Sequence, residues 1–437
     1  MNKHSSFICI YLFFSYFILK AQEEDKGKFE INGQILQRAE YRHGHNEPLR
    51  EDQEAAKFIT QRARLQGLYS YENLTLFMSV QDIRTWGDSP QVKRDDNNLS
   101  LHEAWAHYKL DNAWSIKVGR QELNYDNARF LGNLDWFMQA RAHDFAMIRY
   151  ERGNRKLHIG GGYNQNGGNL PVAEAPFVVP NQYKSAQMLR YENKGENWHY
   201  SFLAWNESRQ NAQLDGNPHF DNLTLGLPTL QYTFGKNQLS GFAYYQTGKD
   251  FVGKSLSGYD VSAQYQRTFF HDETAEKRFR MIAGFELISG TDTNETEKNF
   301  SFNPLYGTNH LFNGYMDVFY VANRHLNNVG LNDYYLKGRY EFSKKFFTQL
   351  DYHYFQANAR VNNGIENLSS GLGSEIDLSF GYIVSPAFSI QGGYSHLFQT
   401  DTYEFVKGGN LNPTQNWAYV MLIFRPNMSQ KFVGILF

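Results

Sequence analysis

Residues Val118 to Asp144 read VGRQELNYDNARFLGNLDWFMQARAHD. The run begins as a strand, with Trp114, Ile116 and Val118 alternating against Ser115, Lys117 and Gly119. It then turns into a segment dense in Arg, Asn, Asp and aromatics, among them Arg120, Gln121, Asn124, Asp126, Arg129, Asn133, Asp135, Trp136, Arg141 and Asp144. No apolar run there is long enough to bury it in an ordinary core. A segment this polar, held between strands, suits the inside of a wet pore.

Outward from that stretch, period-two alternation dominates, the mark of strands with one apolar and one wet face. Phe29 to Tyr41 sets Ile31, Gly33, Ile35 and Ala39 against Asn32, Gln34, Arg38 and Glu40. Lys57 to Tyr71 sets Ile59, Ala63, Leu65 and Tyr69 against Thr60, Arg62, Arg64 and Gln66. The pattern recurs at residues 74–81, 99–110, 114–121, 144–151, 156–164, 186–194, 198–206, 223–234, 237–247, 257–267 and 279–288. It returns at 331–340, 346–356, 375–383, 388–398 and 416–424, which makes eighteen candidate strands. Phe312 to Val321 lacks the alternation and reads as loop.

Tight links (Glu72-Asn73, Asp111-Asn112, Gly235-Lys236) contrast with long ones at 42–56, 86–98, 122–143, 165–185, 207–222, 289–311 and 399–415. Short turns at one end and long loops at the other, with an even strand count, predict an all-β fold. The expectation is a transmembrane antiparallel up-and-down β-barrel of about eighteen strands. By parity, 122–143 falls on the long-loop side, where it can fold inward as a constriction. The ending is less regular: 416–424 reads as the closing strand, Pro426 interrupts, and the tail to Phe437 has no assigned place.

The totals agree. The chain has 437 residues, with 35 Phe, 29 Tyr and 7 Trp, yet its mean hydropathy is −0.59. A helical membrane protein would be far more hydrophobic; a barrel with aromatic girdles and a polar lumen averages out as hydrophilic. Residues 1–21 read as a secretory signal, with Lys3 and His4 before an apolar core at Phe7–Leu19 and Ala21 at a cleavage point. Residues 22–437 then form one barrel domain. Cys9, the single cysteine, lies in that signal, which removes disulfides, thiol nucleophiles and Cys-ligated metals from the mature chain. Without Lys3 and Lys20 the chain keeps 41 basic and 45 acidic side chains, net −4. Nothing in that balance points to nucleic acid.

If apolar faces meet lipid, the opposite faces carry Arg38, Arg42, Arg62, Arg64, Lys117, Arg149, Arg280, Lys337 and Arg339 inside. Glu40, Glu103, Asp351, Glu375 and Asp377 sit among them. Guanidinium groups bind carboxylates through a planar fork, so such a row can pass an anion from site to site. A salt-bridged lumen without selectivity uses the same residues. Arg120, Arg129 and Arg141 are candidate filter residues, with anchoring to Asp126, Asp135 and Asp144 as the alternative. Trp105 and Trp136 are candidates for stacking on sugar rings. The predicted pore-lining, solute-binding set is Arg38, Arg62, Arg64, Lys117, Arg120, Arg129, Asp135, Trp136, Arg141 and Arg149.

Catalysis and cofactors find no support. No GxSxG elbow, phosphate-cradling Gly loop or dinucleotide fingerprint occurs. His43 with His45, and His102 with His107, have no third ligand at metal spacing. Asp292, Asn294 and Glu295 offer oxygen ligands for Ca²⁺, but a solvated loop explains them as well.

The stretches GRQEL, ARFLGNLDW and QARAHD closely resemble the signature of the alginate-export porins of bacterial outer membranes. SFNPLYGTNHLFNGYMD, from Ser301 to Asp317, is similar to the form of that family found in Bacteroidetes-type bacteria. The resemblance implies an outer-membrane location and passive export or diffusion of an anionic polysaccharide such as alginate, without catalysis or cofactor. It also implies outer-membrane lipid and an anionic poly- or oligosaccharide as partners, with periplasmic export machinery as a further candidate. A general or small-anion porin for nutrient uptake is the alternative.

Overall fold

The computed structural model describes residues 27–92, 98–165, 182–272, 274, 276–326, 328–427 and 429–435. The signal assigned to residues 1–21 and the terminal Phe437 lie outside them. One antiparallel sheet closes on itself as an eighteen-stranded barrel. In chain order its strands are β1 (Lys28–His43), β2 (Ala56–Tyr71), β3 (Leu74–Thr85), β4 (Leu99–Lys109), β5 (Trp114–Gln121) and β6 (His143–Arg152). Next come β7 (Arg155–Tyr163), β8 (Ser185–Lys194), β9 (Trp198–Gln210), β10 (His219–Phe234), β11 (Asn237–Lys249), β12 (Ser255–Asp272) and β13 (Lys277–Ile288). β14 (Lys298–Asn299) is only a two-residue parallel bridge onto the start of β12 and is not part of the wall. β15 (Leu331–Ser343), β16 (Phe346–Gln356), β17 (Gly371–Ser385), β18 (Phe388–Gln399) and β19 (Gln415–Phe424) complete the wall.

Each wall strand pairs with the one before it in sequence. Closure comes from β1 against β19, registered from Ile35 opposite Phe424 to His43 opposite Asn416. All eighteen predicted strands are present, and Phe312–Val321 is loop with short 3-10 turns on either side. One element has no counterpart in the alternation pattern. Helix α1 (Asp401–Lys407) sits in the loop before β19, capped by the Thr400 side chain accepting from the Tyr403 N–H.

The outward faces are apolar. Ile31, Leu65, Met78, Leu239, Leu350 and Leu378 are each at least half exposed or close to it. Exposed aromatics gather near the strand ends: Phe29, Tyr108, Trp198 and Phe270 towards the short turns, Tyr163, Tyr259, Tyr354 and Phe398 towards the long loops. This is the arrangement of a lipid-facing band between two interfacial girdles. The chain is accordingly an outer-membrane-type barrel.

The interior is filled as much as it is wet. Leu123, Phe130, Leu131, Trp136 and Met138 from the 122–142 segment join Tyr306, Met316, Val318 and Phe319 from the 289–330 loop. Together with Trp205, Trp417 and Tyr419 of the wall they form a continuous apolar cluster inside the barrel. The polarity of 118–144 read as incompatible with a core. Instead its few apolar residues are collected by the wall and by a second loop, which no local run of sequence reveals.

The tail is also inside. After β19 it turns back into the lumen, where Ser389 Oγ bonds the Lys431 carbonyl. The Gln391 side chain pairs with both the N–H (2.8 Å) and the carbonyl (2.7 Å) of Val433. Gly434, at φ +70°, lies so close to Trp136 that a Cβ would sit 2.3 Å from its ring, so only glycine lets the tail reach this depth.

Leu65→Arg or Leu350→Arg puts a cation on the lipid face. Either should destabilise the barrel by roughly 2–4 kcal/mol at mid-membrane, read by equilibrium unfolding in lipid vesicles.

Candidate functional site: the loop-crossed lumen

The 122–142 segment leaves β5, crosses the lumen and returns at β6, and ion pairs to the wall hold it there. Asp135 is the main anchor. Its Oδ1 meets Arg62 Nη2 of β2 at 2.6 Å, and its Oδ2 meets Arg425 Nη2, just beyond β19, at 2.7 Å. Both guanidinium side chains are essentially fully buried. Burial alone would push the Asp135 carboxyl up, but Arg62 and Arg425 outweigh it and hold the group well below the usual carboxylate range. Arg62 also donates to the Met138 carbonyl at 3.2 Å and to Gln34 Oε1 at 3.1 Å.

A second anchor is Arg129, which is wholly buried. Its Nε lies 3.0 Å from Asp260 Oδ2 on β12 and 2.8 Å from Glu286 Oε1 on β13. Its Nη2 donates to Asn313 Oδ1 of the 289–330 loop at 3.1 Å. A third joins Asp126 Oδ1 to Arg190 Nη2 of β8 at 2.7 Å. Between these, Trp136 stacks on His310 (3.9 Å, 3°) and lies under the guanidinium of Arg38, 4.2 Å from its carbon to the ring centre. Arg38 also donates to the Trp136 carbonyl at 2.8 Å and pairs with Glu40 at 2.8 Å. On the far side, Gly314, at φ +79°, lets the 289–330 loop come against Glu375, which accepts from the Met316 N–H at 2.7 Å.

The other predicted residues have distinct placements. Arg64 is buried and donates twice to Gln81 Oε1, at 2.9 and 2.6 Å. Lys117 is half-buried over the Trp105 ring at 3.9 Å, and Trp105 donates to Glu103 at 3.2 Å. Arg149 pairs with Glu151 at 2.7 Å and keeps part of its side chain accessible. Arg141 donates to the carbonyls of Gly132 and Gly307, joining the two loops through backbone.

Arg120 needs correction: it does not line the pore. It continues the outward face of Trp114, Ile116 and Val118, and pairs there with exposed Asp144 at 3.1 Å. Period two in β5 forces that orientation, and the end of the strand keeps the pair near water. Of the expected anchoring carboxylates, Asp144 is the one that is kept, by Arg120, and the others change. Arg129 takes Asp260 and Glu286 rather than a carboxylate of its own segment, and Asp126 and Asp135 go to Arg190, Arg62 and Arg425.

Arg425, Asp260, Glu286 and Arg190 are the residues that sequence reading passed over. Parity carried a signal for them: Arg425 extends the inward series Trp417, Tyr419, Met421, Ile423, and Asp260 that of Leu256, Gly258 and Ser262. Asp292 and Glu295 are engaged with Arg360 and with the backbone N–H groups of Glu297 and Lys298.

Below the loops, on the short-turn side, the lumen opens into a cavity of 390 Å³. Its walls mix amide and hydroxyl side chains, such as Gln231, Ser240, Ser262 and Gln264, with apolar Leu230, Phe242 and Phe312 and with the ionic Arg280, Lys337, Glu286 and Asp333. Nearer the short turns, Arg278 and Arg280 bond Glu341 at 2.7–2.9 Å and Arg339 lies 3.7 Å from it. Three cations share one carboxylate.

A closed, lipid-banded barrel with a narrowed polar lumen defines the class: this is an outer-membrane porin-type barrel. Among solved structures it is similar to the Pseudomonas aeruginosa outer-membrane protein OpdK, with TM-score 0.57 and 11% identity over 91% of this chain and 98% of that one. OpdO of the same organism gives TM-score 0.57 and 14% identity over 91% and 97%. A BenF-like porin from Pseudomonas fluorescens Pf-5 gives TM-score 0.55 and 10% identity over 91% and 98%. At these identities the likeness is one of fold. More particularly, the alginate export family model matches residues 29–159. That span contains GRQEL, ARFLGNLDW and QARAHD; the 301–317 block lies beyond it. A search of curated proteins finds no significant match.

Asp135→Asn strands two buried guanidiniums. It should weaken the anchoring of the loop by about 3–5 kcal/mol, seen as faster amide hydrogen exchange across residues 132–138 with the barrel strands unchanged. The depressed carboxyl fixes the sign of the pH effect. Its stabilisation is complete above the ordinary carboxylate pKa of about 3.9. It is lost progressively as pH falls below that value, so the loop's protection factors, with the intrinsic pH dependence of amide exchange divided out, should stay flat down to about pH 4 and fall beneath it.

Proposed function

We propose that the chain is a passive, non-enzymatic channel for small anionic solutes, with short uronate oligosaccharides and organic acids as the class that fits. The observation carrying this reading is the crossed lumen. Two loops and the tail are tied to the wall through Arg62–Asp135–Arg425 and Arg129–Asp260–Glu286. Below them lies a cavity of 390 Å³, lined by the wall and by residues of both crossing loops. Small solutes that carry both polar groups and apolar faces suit such a space. Preference for anions is supported by inward Lys117 and Arg149, each partly accessible, and by the three guanidiniums around Glu341 at the short-turn end. Weak, repeated contacts of this type let an anion enter and leave. Arg38, Arg62, Arg64 and Arg129 act in this reading by shaping the passage, because each is buried and bonded to a protein acceptor.

A second reading is passage of an alginate-like polyuronate along the inward arginines. The family match over residues 29–159 favours it. Its path runs past the 122–142 segment and the tail, which are both bonded to the wall inside the lumen.

Single-channel recording in planar bilayers tests the proposal. The expected result is a small, anion-selective conductance, reduced by uronate trimers added from either side and raised severalfold by Asp135→Asn. A wide ohmic pore, cation selectivity or the absence of any conductance overturns it. Block by long polyuronate but not by trimers replaces it with the polymer reading. Arg149→Ala should lower anion selectivity more than Arg129→Ala or Arg141→Ala does, because Arg129 is wholly buried and Arg141 donates to two backbone carbonyls, whereas Arg149 is partly accessible.

A further inference from the structure

The inward alternation breaks at one place in β4. Ser79 of β3 pairs with Glu103, but the next residue, Val80, pairs with Leu101, so His102 is an extra residue in the strand. In a regular strand, neighbours point to opposite faces. This bulge instead turns both His102 and Glu103 inward, leaving them 4% and 8% exposed. Glu122, the first residue beyond β5, completes the group. Its N–H donates to Glu103 Oε1 at 3.0 Å, and its Oε1 lies 2.9 Å from His102 Nε2. One donor atom from each of the three residues falls within a 4.8 Å span.

We propose that His102, Glu103 and Glu122 form a binding site for a divalent transition ion of the zinc type. An imidazole nitrogen with two carboxylates is a donor set such ions accept, whereas Ca²⁺ and Mg²⁺ take oxygen ligands, typically six or more. Zinc–ligand distances of about 2.0–2.2 Å place tetrahedral donors about 3.4 Å apart, so the three donors have to draw together from the observed 4.8 Å span when the ion binds. An outer shell is in place: Trp105 Nε1 donates to Glu103 at 3.2 Å and Asn133 Nδ2 to Glu122 Oε2 at 2.9 Å. Of the fixed cations beside the group, Arg64 has its Nη1 4.0 Å from Glu122 Oε1 and directs its hydrogen bonds to Gln81, and Lys117 lies over the Trp105 ring at 3.9 Å.

Glu122 keeps 23% of its side chain accessible from the lumen. The fourth position on the ion therefore faces the passage, where it takes water or a carboxylate of a solute. Occupancy also ties the root of the 122–142 segment to the wall. Sequence spacing concealed the group because the third ligand comes from the neighbouring strand's end rather than from His107.

The experiment is zinc binding to the whole barrel in detergent after chelator treatment, followed by calorimetry and elemental analysis. One Zn²⁺ per chain is expected, weakened about tenfold or more in His102→Ala and in Glu122→Gln, with His43→Ala unchanged. No stoichiometric zinc, or wild-type affinity in either variant, overturns the proposal. Should the variants fail to fold, zinc-edge X-ray absorption on the wild-type barrel decides. A single imidazole among oxygen ligands supports the site, and two or more imidazoles overturn it.

Discussion

In a hydrocarbon layer no water is available to satisfy a backbone N–H or carbonyl, and everything else in this protein follows from that. An open sheet would leave two bare edges in lipid, so β1 must meet β19, and it does so along nine registered residue pairs from Ile35–Phe424 to His43–Asn416. Once the sheet closes, each strand has one face in lipid and one facing inward. Period two then sorts side chains without further instruction, placing Leu65 and Leu350 outside and Arg62, Arg64 and Asp351 inside. A cation outside costs a few kcal/mol, whereas inside it finds partners.

That sorting leaves a wide enclosure holding many unpaired ionic groups, and how they are satisfied distinguishes this barrel from an open pore. Water could have solvated them. Instead the chain folds three of its own segments inward: 122–142, the 289–330 loop and the tail after β19. Asp135 receives one guanidinium from the second strand and one from just past the last, so a single carboxylate joins the loop to both sides of the barrel seam. Arg129 does the same on the opposite wall, with Asp260 and Glu286. Burying such pairs gains little over a hydrophobic filling, but removing one partner is costly, so they fix geometry more than they add stability. The apolar cluster of Phe130, Trp136, Tyr306 and Phe319 packs around these nodes and gives the lumen a core of its own.

The β4 bulge shows the same economy of means. One inserted residue re-aims His102 so that two consecutive side chains share the lumen, at the root of the segment that narrows it. Bulges recur where a wall must present an unusual set of groups, and here the set is an imidazole and two carboxylates.

By itself the sequence determined the barrel: alternation fixed which residues face lipid, and the lengths of the links fixed which end carries the loops. It also marked 118–144 as the segment of interest and placed Arg38, Arg62, Arg64 and Arg149 on the inner face, since these depend only on neighbours along one strand. It misplaced Arg120, whose parity follows Val118 to the outside, and it left Arg425 and the tail without a role. Tertiary structure alone decided which carboxylate meets which arginine, because Asp135, Arg62 and Arg425 are separated by 73 and 290 residues and are brought together only when the sheet closes. Local periodicity cannot encode a meeting set by the circumference of a barrel.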